Sequence, residues 1–276
     1  MTSTDSRTPT DARSSSRGFW IRTAVTLAVV GVACLFLFVL PDYDYQWDRM
    51  TEGTRIQQWG SALLTTLWMS MAAMVLSIVL GVGAALARMS RKPGWNQLGA
   101  IYVEFIRSTP LLVQVMFGYF VVSNILAGLV LRAGGPESLA GFIENHYVVG
   151  VVVLGTFAGA YVAEIVRASV ESIDKGQTEA ALAQGMSRAQ VYRLVVFPQA
   201  ARRMMPPLAG QFVSLIKDSS LLMFIPGIIE LTRRTSLIRA RTYLDNEPLL
   251  IVLTLYFILC FTLSRVARRL ELRMAA

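Results

Sequence analysis

The chain has 276 residues, of which 54% are hydrophobic and only 16% charged, and its mean hydropathy is +0.51; this composition excludes an ordinary soluble domain and makes a membrane the default solvent. A hydrocarbon core about 30 Å thick takes about 20 apolar residues per helix, so the length has room for about five to seven spans, and one bundle uses it up. The net charge of +8 falls mostly between apolar runs, the pattern of topology signals rather than of a nucleic-acid partner.

In chain order, residues 1–18 are rich in Ser, Thr and Arg and predict a disordered tail that buries nothing. The run from Phe19 to Leu40 opens on Arg22 and continues through Cys34 to Leu40 with no small-residue cleavage site before Pro41, so it reads as an uncleaved first span rather than a signal peptide. Further apolar runs at Trp59 to Ala87, Leu111 to Leu131, Tyr147 to Ile165, Pro207 to Ile229 and Leu249 to Ser264 give six predicted transmembrane helices in an all-α integral membrane protein. Between the second and third runs, Arg88, Arg91 and Lys92 precede a segment holding Glu104 and Arg107, expected to be an interfacial helix leading into the span. Cys34 and Cys260 each lie in an apolar run and His146 is the only histidine, so neither a disulfide framework nor a metal site can be built within one copy.

The basic segments set an orientation. The tail, the Arg88 to Lys92 loop, the loop holding Lys175, Arg188, Arg193, Arg202 and Arg203, and the Arg265 to Arg273 end share one side, expected to be cytoplasmic together with both termini. The 41–58 loop, with Asp42, Asp44, Asp48 and Glu52, and the 132–146 loop fall outside. Arg233, Arg234, Arg239 and Arg241 fall outside as well, against that rule, and an acidic partner is the one reading the sequence offers for them.

The segment after the fourth predicted span, KGQTEAALAQGMSRAQVYRLVVFPQAARRMMPP, has the local grammar of helix, turn, helix. Thr178 is placed to cap a short helix, and Gly185 suits the left-handed position that stops it. Ser187 followed three residues later by Gln190 is a capping box for a second helix, expected to end near Phe197 because Pro198 lacks a donor. Val191, Leu194 and Val195 share one face of that helix at i, i+3 and i+4 spacing, with Arg188 and Arg193 off it. Periodicity alone leaves open whether the face packs on its own bundle or on a partner. A DNA-binding helix-turn-helix would need a third helix for which a loop between two spans has no room.

Glu179, Ala180 and Ala181, then three residues, Gly185, then nine residues, Val195, with Phe197 before Pro198, resemble the EAA loop of ABC importer permeases, whose pattern ends Ile-x-Leu-Pro. Val195 and Phe197 depart from it but keep apolar bulk. YVEFIRSTPLLVQ at 102–114, AYVAEIVRASVESIDKGQTEAA at 160–181 and SLIKDSSLLMFIPGIIEL at 214–231 are similar to permeases of the histidine and glutamine importer group. The resemblance covers residues 59–268 and implies a type I (MetI-like) bundle of five spans preceded by one extra helix at 19–40. It implies a coupling loop at about 176–200 whose Glu179, Ala180, Ala181, Gly185, Val195 and Pro198 serve a cytoplasmic ATPase. The implied partners are two ABC ATPase subunits carrying ATP and Mg, a second permease that is a copy or a homologue, an extracytoplasmic binding protein and the bilayer of a bacterial cytoplasmic membrane. No GxxxxGK[ST] occurs, so the nucleotide site, and with it the enzymatic activity, is expected on the separate ATPase chains, with no cofactor, metal or catalytic residue on this one.

Lys217 and Asp218 lie near the middle of the fifth predicted run, where a charge is costly and functional by default. With the hydroxyls of Ser219 and Ser220 beside them they are candidates for lining a pathway for a zwitterionic amino acid; the rival reading is that they pair with buried groups or reach water through a helix break. Glu164 and Arg167, and Glu104 with Arg107, are expected to be interfacial ion pairs that hold the loop. The alternative to an importer is a carrier driven by an ion gradient through Asp218, Lys217 and Glu164, a class that has no use for the EAA loop.

Overall fold

The computed structural model describes Gly31 and residues 44–51 and 53–274. The predicted tail, 1–18, lies outside these residues, as does the predicted first span, 19–40, but for Gly31. Four of the described helices are long and apolar enough to cross a membrane: Arg55–Arg88, Leu111–Arg132, His146–Glu171 and Asn246–Arg269.

The first of these belongs to α1 (Gly53–Arg88), and α2 (Pro93–Ser108) follows it as a separate helix with Pro at its first turn, a position where the missing N–H has no partner to lose. Next comes α3 (Leu111–Arg132), interrupted by a π-helical stretch at Gly118–Ser123. The predicted 132–146 loop contains a short helix, α4 (Glu137–Glu144). Asn145 then caps α5 (His146–Glu171), its side chain accepting from the amides of Tyr147 and Val148.

α1 and α5 form the most extensive helix pair, and the sequence shows why. Along α1 the buried positions Trp59, Ala62, Thr66, Met69, Ala73, Ser77 and Ala85 recur at helical spacing, and most of them are small. α5 answers with Gly155, Ala158, Gly159, Val162 and Ala163. In a bilayer, where helices gain little from excluding water from each other, small residues allow the close backbone approach that makes dispersion effective. Gly81 is the tightest case: a Cβ there would sit 2.6 Å from the Val162 side chain and 2.8 Å from the Gly159 carbonyl oxygen.

The predicted fifth span is corrected. Pro207 to Ile229 is not one helix; α7 (Phe197–Asp218) ends in a 3-10 turn at Ser219–Phe224. Pro226 and Gly227, the latter at φ +91°, then keep that helix from continuing. The chain continues as α8 (Leu231–Thr242), so the basic stretch at 233–241 is helical, and closes with α9 (Asn246–Met274).

The two ends of the bundle carry different material. Leu231 donates its amide to Thr66 Oγ1, while Ala85 packs in a cluster with Val166, Ala181, Val191 and Val196. Thr66 and Ala85 are nineteen residues apart on α1, about 28 Å of helical rise and close to the thickness of a hydrocarbon core. The loop after α5 and the helix α8 therefore belong to opposite ends.

Candidate functional site

At the end beyond Glu171 the chain builds α6 (Lys175–Ala183). Its cap is Asp174, whose side chain accepts from the Gly176 amide at 2.6 Å; Thr178, the expected cap, lies inside the helix. An Asx residue at this position satisfies an orphan amide and sets a negative charge at the positive helix end. Glu179 and Ala180 are exposed, whereas Ala181 is buried, so the three residues split between two surfaces. Gly185 adopts φ +85° with open space around its Cα, as expected from the sequence. The left-handed geometry alone demands glycine there. Ser187 and Gln190 form the expected capping box.

The second helix differs from expectation in its pitch. After one turn at Arg188–Gln190 it widens into a π-helix at Val191–Val196 and runs without a break into α7, with Pro198 in the first turn. An α-helix through Pro198 would set its ring against the Leu194 carbonyl and leave that carbonyl without a donor; the wider π turn absorbs the conflict. Gln199 Nε2 donates to the Val195 carbonyl at 3.0 Å. Widening moves the buried face. Val191 and Val196 are buried, Leu194 is 61% exposed, and Val195 is half-buried, so the expected Val191, Leu194 and Val195 face is replaced by i, i+5 spacing.

The loop thus has two faces. Ala181, Val191 and Val196 anchor it to α1 and α5, while Leu182, Tyr192, Leu194 and Phe197 expose large apolar side chains beside exposed Arg188 and Arg193. Arg203 on α7 ties the arrangement to the end of α5, donating to the Ser172 carbonyl at 2.5 Å and to its hydroxyl at 2.9 Å.

Immediately inside this end lie two adjoining cavities. One, of about 530 Å³, is lined by Arg107, Tyr161, Glu164, Ser169, Arg203 and Gln211 among others; the second, of about 460 Å³, shares Arg107, Tyr161 and Glu164 and adds Arg88 and Glu104. Glu164 is the hub, accepting from Arg88 at 2.8 Å and from Arg167. Arg167 also reaches Glu171 at 2.5 Å. The expected Glu164 and Arg167 pair is therefore present and extends across to α1. The expected Glu104 and Arg107 pair is not: the Arg107 guanidinium lies 5.4 Å from the centre of the Tyr161 ring, where cation–π attraction holds it over the cavity instead.

Lys217 and Asp218 sit at the end of α7, not in the middle of a span. Lys217 is exposed and Asp218 and Ser220 are half-buried; a cation in the last turn complements the negative end of the helix dipole. Ser219 is buried, with its hydroxyl donating to the Ile216 carbonyl at 2.7 Å. The structure brings the EAA residues together around one elbow, and it brings Glu104, Arg107 and Glu164 together around one cavity. Lys217 to Ser220 lie apart from both. Sequence reasoning missed Tyr161, Arg203 and Gln211 as cavity residues, since neither periodicity nor spacing marks them.

Residues 77–276 match the family described as binding-protein-dependent transport system inner membrane component. The chain is 39% identical over 211 residues to the glutamine transport system permease protein GlnP of Escherichia coli (strain K12), covering 76% of this chain and 89% of that one. It is 35% identical over 213 residues to the probable glutamine ABC transporter permease protein GlnP of Bacillus subtilis (strain 168), covering 76% and 90%. Among solved structures, one described as an amino acid ABC transporter with histidines aligns with TM-score 0.71 and 31% identity over 84% of this chain and 100% of that one. An all-helical bundle with an EAA elbow at one end, matched over most of its length, places the chain in the family of binding-protein-dependent transport system inner membrane components.

Proposed function

We propose that this chain carries a polar amino acid or related small solute across a bacterial cytoplasmic membrane, with the energy supplied by ATP and Mg bound on two separate ATPase subunits. The observation that carries the reading is the two-faced loop at 174–200. Buried Ala181, Val191 and Val196 fix it to the bundle, while Leu182, Leu194 and Phe197 offer an apolar surface to a partner. Glu179, Ala180, Ala181, Gly185, Val195 and Pro198 form the coupling element. Closure of the ATPases pulls the element, and the bundle moves with it because Arg203 ties α7 to the end of α5 and the Glu164 cluster ties α5 to α1.

A second permease, a copy or a homologue, completes the pathway; the glutamine in the names of both relatives supports the solute class. Both termini and the 174–200 loop face the cytoplasm, and an extracytoplasmic binding protein delivers the solute at the end that holds α8. An ion-gradient carrier is disfavoured by the family to which the chain belongs. Lys217, Asp218, Ser219 and Ser220 contribute to the pathway where α7 gives way to the 3-10 turn.

The test is Asp218→Asn, which removes a charge but keeps shape and hydrogen-bonding capacity. The assembled complex should form in wild-type amount while uptake falls about tenfold or more. Loss of assembly would instead make Asp218 a structural residue.

A further inference from the structure

α8 carries four arginines, Arg233, Arg234, Arg239 and Arg241, and no acid, at the end of the bundle where the distribution of charge in membrane proteins disfavours them. Its backbone is held firmly. Glu230 is fully buried and caps the helix, accepting from the amides of Thr232 at 2.7 Å and Arg233 at 2.5 Å and from the Tyr256 hydroxyl at 3.1 Å. Leu231, Ile238 and Leu244 pack with Met50, Trp59 and Ala62. Two arginines are engaged within the chain: Arg239 pairs with Asp245 at 2.7 Å, and Arg234 reaches Gln58 at 3.3 Å. Arg233 and Arg241 have no carboxylate partner among the described residues.

The helix ends on Tyr243, a non-glycine residue at φ 57° whose amide donates to the Arg239 carbonyl at 2.9 Å. The residue is 91% exposed. A left-handed backbone is unfavourable for a residue with a Cβ, and here it aims a large aromatic ring away from the bundle. The Arg239 and Asp245 pair braces the turn on which it stands. Tyrosine and arginine presented from a fixed backbone are the residue types that anchor protein interfaces, and a fixed backbone spares the ordering cost of binding.

We propose that this corner, α8 with the turn at 242–245, is the seat for an acidic face of the extracytoplasmic binding protein, with Arg233 and Arg241 meeting carboxylates and Tyr243 entering a pocket between them. The inference rests on the importer reading. A binding-protein-dependent permease must meet that protein at the end opposite its coupling loop, and among the described residues α8 places there exposed Arg241 and half-buried Arg233, neither with a carboxylate partner, beside exposed Tyr243.

The test uses the assembled complex in nanodiscs and the loaded binding protein of the same system. In Arg233→Glu/Arg241→Glu the dissociation constant should rise about tenfold or more and lose much of its salt dependence; Tyr243→Ala should weaken docking about tenfold while its salt dependence is kept. Basal ATP hydrolysis and assembly should stay at wild-type level in both, which shows that the fold is intact. Wild-type docking in both variants overturns the proposal, as does a wild-type affinity that falls to the variant's when anionic lipid is replaced by phosphatidylcholine, which would make the arginines a headgroup site. A wild-type complex that does not respond to the binding protein at all overturns the importer reading itself, a result read before any variant is made.

Discussion

Gly185 is the residue on which the loop turns. It lies at φ +85° with nothing within 4 Å of a built Cβ, so a side chain there meets no clash and the whole cost of substitution is backbone strain. That strain is about 1 to 3 kcal/mol for a β-branched residue and smaller for asparagine, comparable with a coupling free energy. Gly185→Val should leave the permease in the membrane yet abolish stimulation of ATP hydrolysis by the loaded binding protein, and Gly185→Asn should retain most of it. Glu179→Ala, which removes one exposed carboxylate, should act in the same direction and more weakly. Full stimulation in Gly185→Val would mean that the elbow transmits nothing. Gly185 and the Ser187 and Gln190 box were legible in the sequence because both are local: the backbone sign and the cap are decided within four residues. The Glu104 and Arg107 pair failed for the opposite reason, since Tyr161 on another helix offered Arg107 a better surface than its neighbour three residues away.

At the scale of elements, the α1 and α5 contact is the most extensive in the bundle, and in the proposed function it is the frame that would carry movement from the loop. Its close approach rests on small residues, so Gly81→Val, whose Cβ would fall 2.6 Å from Val162, should destabilise the bundle by about 1 to 3 kcal/mol. The melting temperature in detergent and the yield of folded permease should both fall. An unchanged melting temperature would show that the two helices stand further apart. Helix existence was readable from hydropathy at α1, α3, α5 and α9, where long apolar runs have no competing signal. It was not readable in the fifth run. Ser219 and Ser220 interrupt the hydrophobic run too briefly for a hydropathy window to register, and the end of the helix is enforced further along the chain, by Pro226 and Gly227. The π turn at Val191–Val196 was equally hidden: Pro198 predicts a conflict, and packing of Val191 and Val196 against Ala85 and Val166 decides that the chain widens instead of stopping.

At the largest scale, the described residues form a bundle with an exposed apolar elbow at one end and a basic helix at the other, the two surfaces proposed above for partners. In intact cells Ser138→Cys, on exposed α4, should react with an impermeant reagent, and Ser187→Cys, on the exposed elbow, should not; equal labelling would break the orientation. The central claim is that movement through this chain is driven by ATP on separate subunits and not by an ion gradient. The most direct measurement is solute uptake into proteoliposomes holding the complete complex and its binding protein, with ATP on the side of the elbow and ionophores present to collapse every gradient. Uptake should persist with ionophores and stop when ATP is withdrawn; uptake that needs no ATP and disappears with the ionophores would contradict the claim.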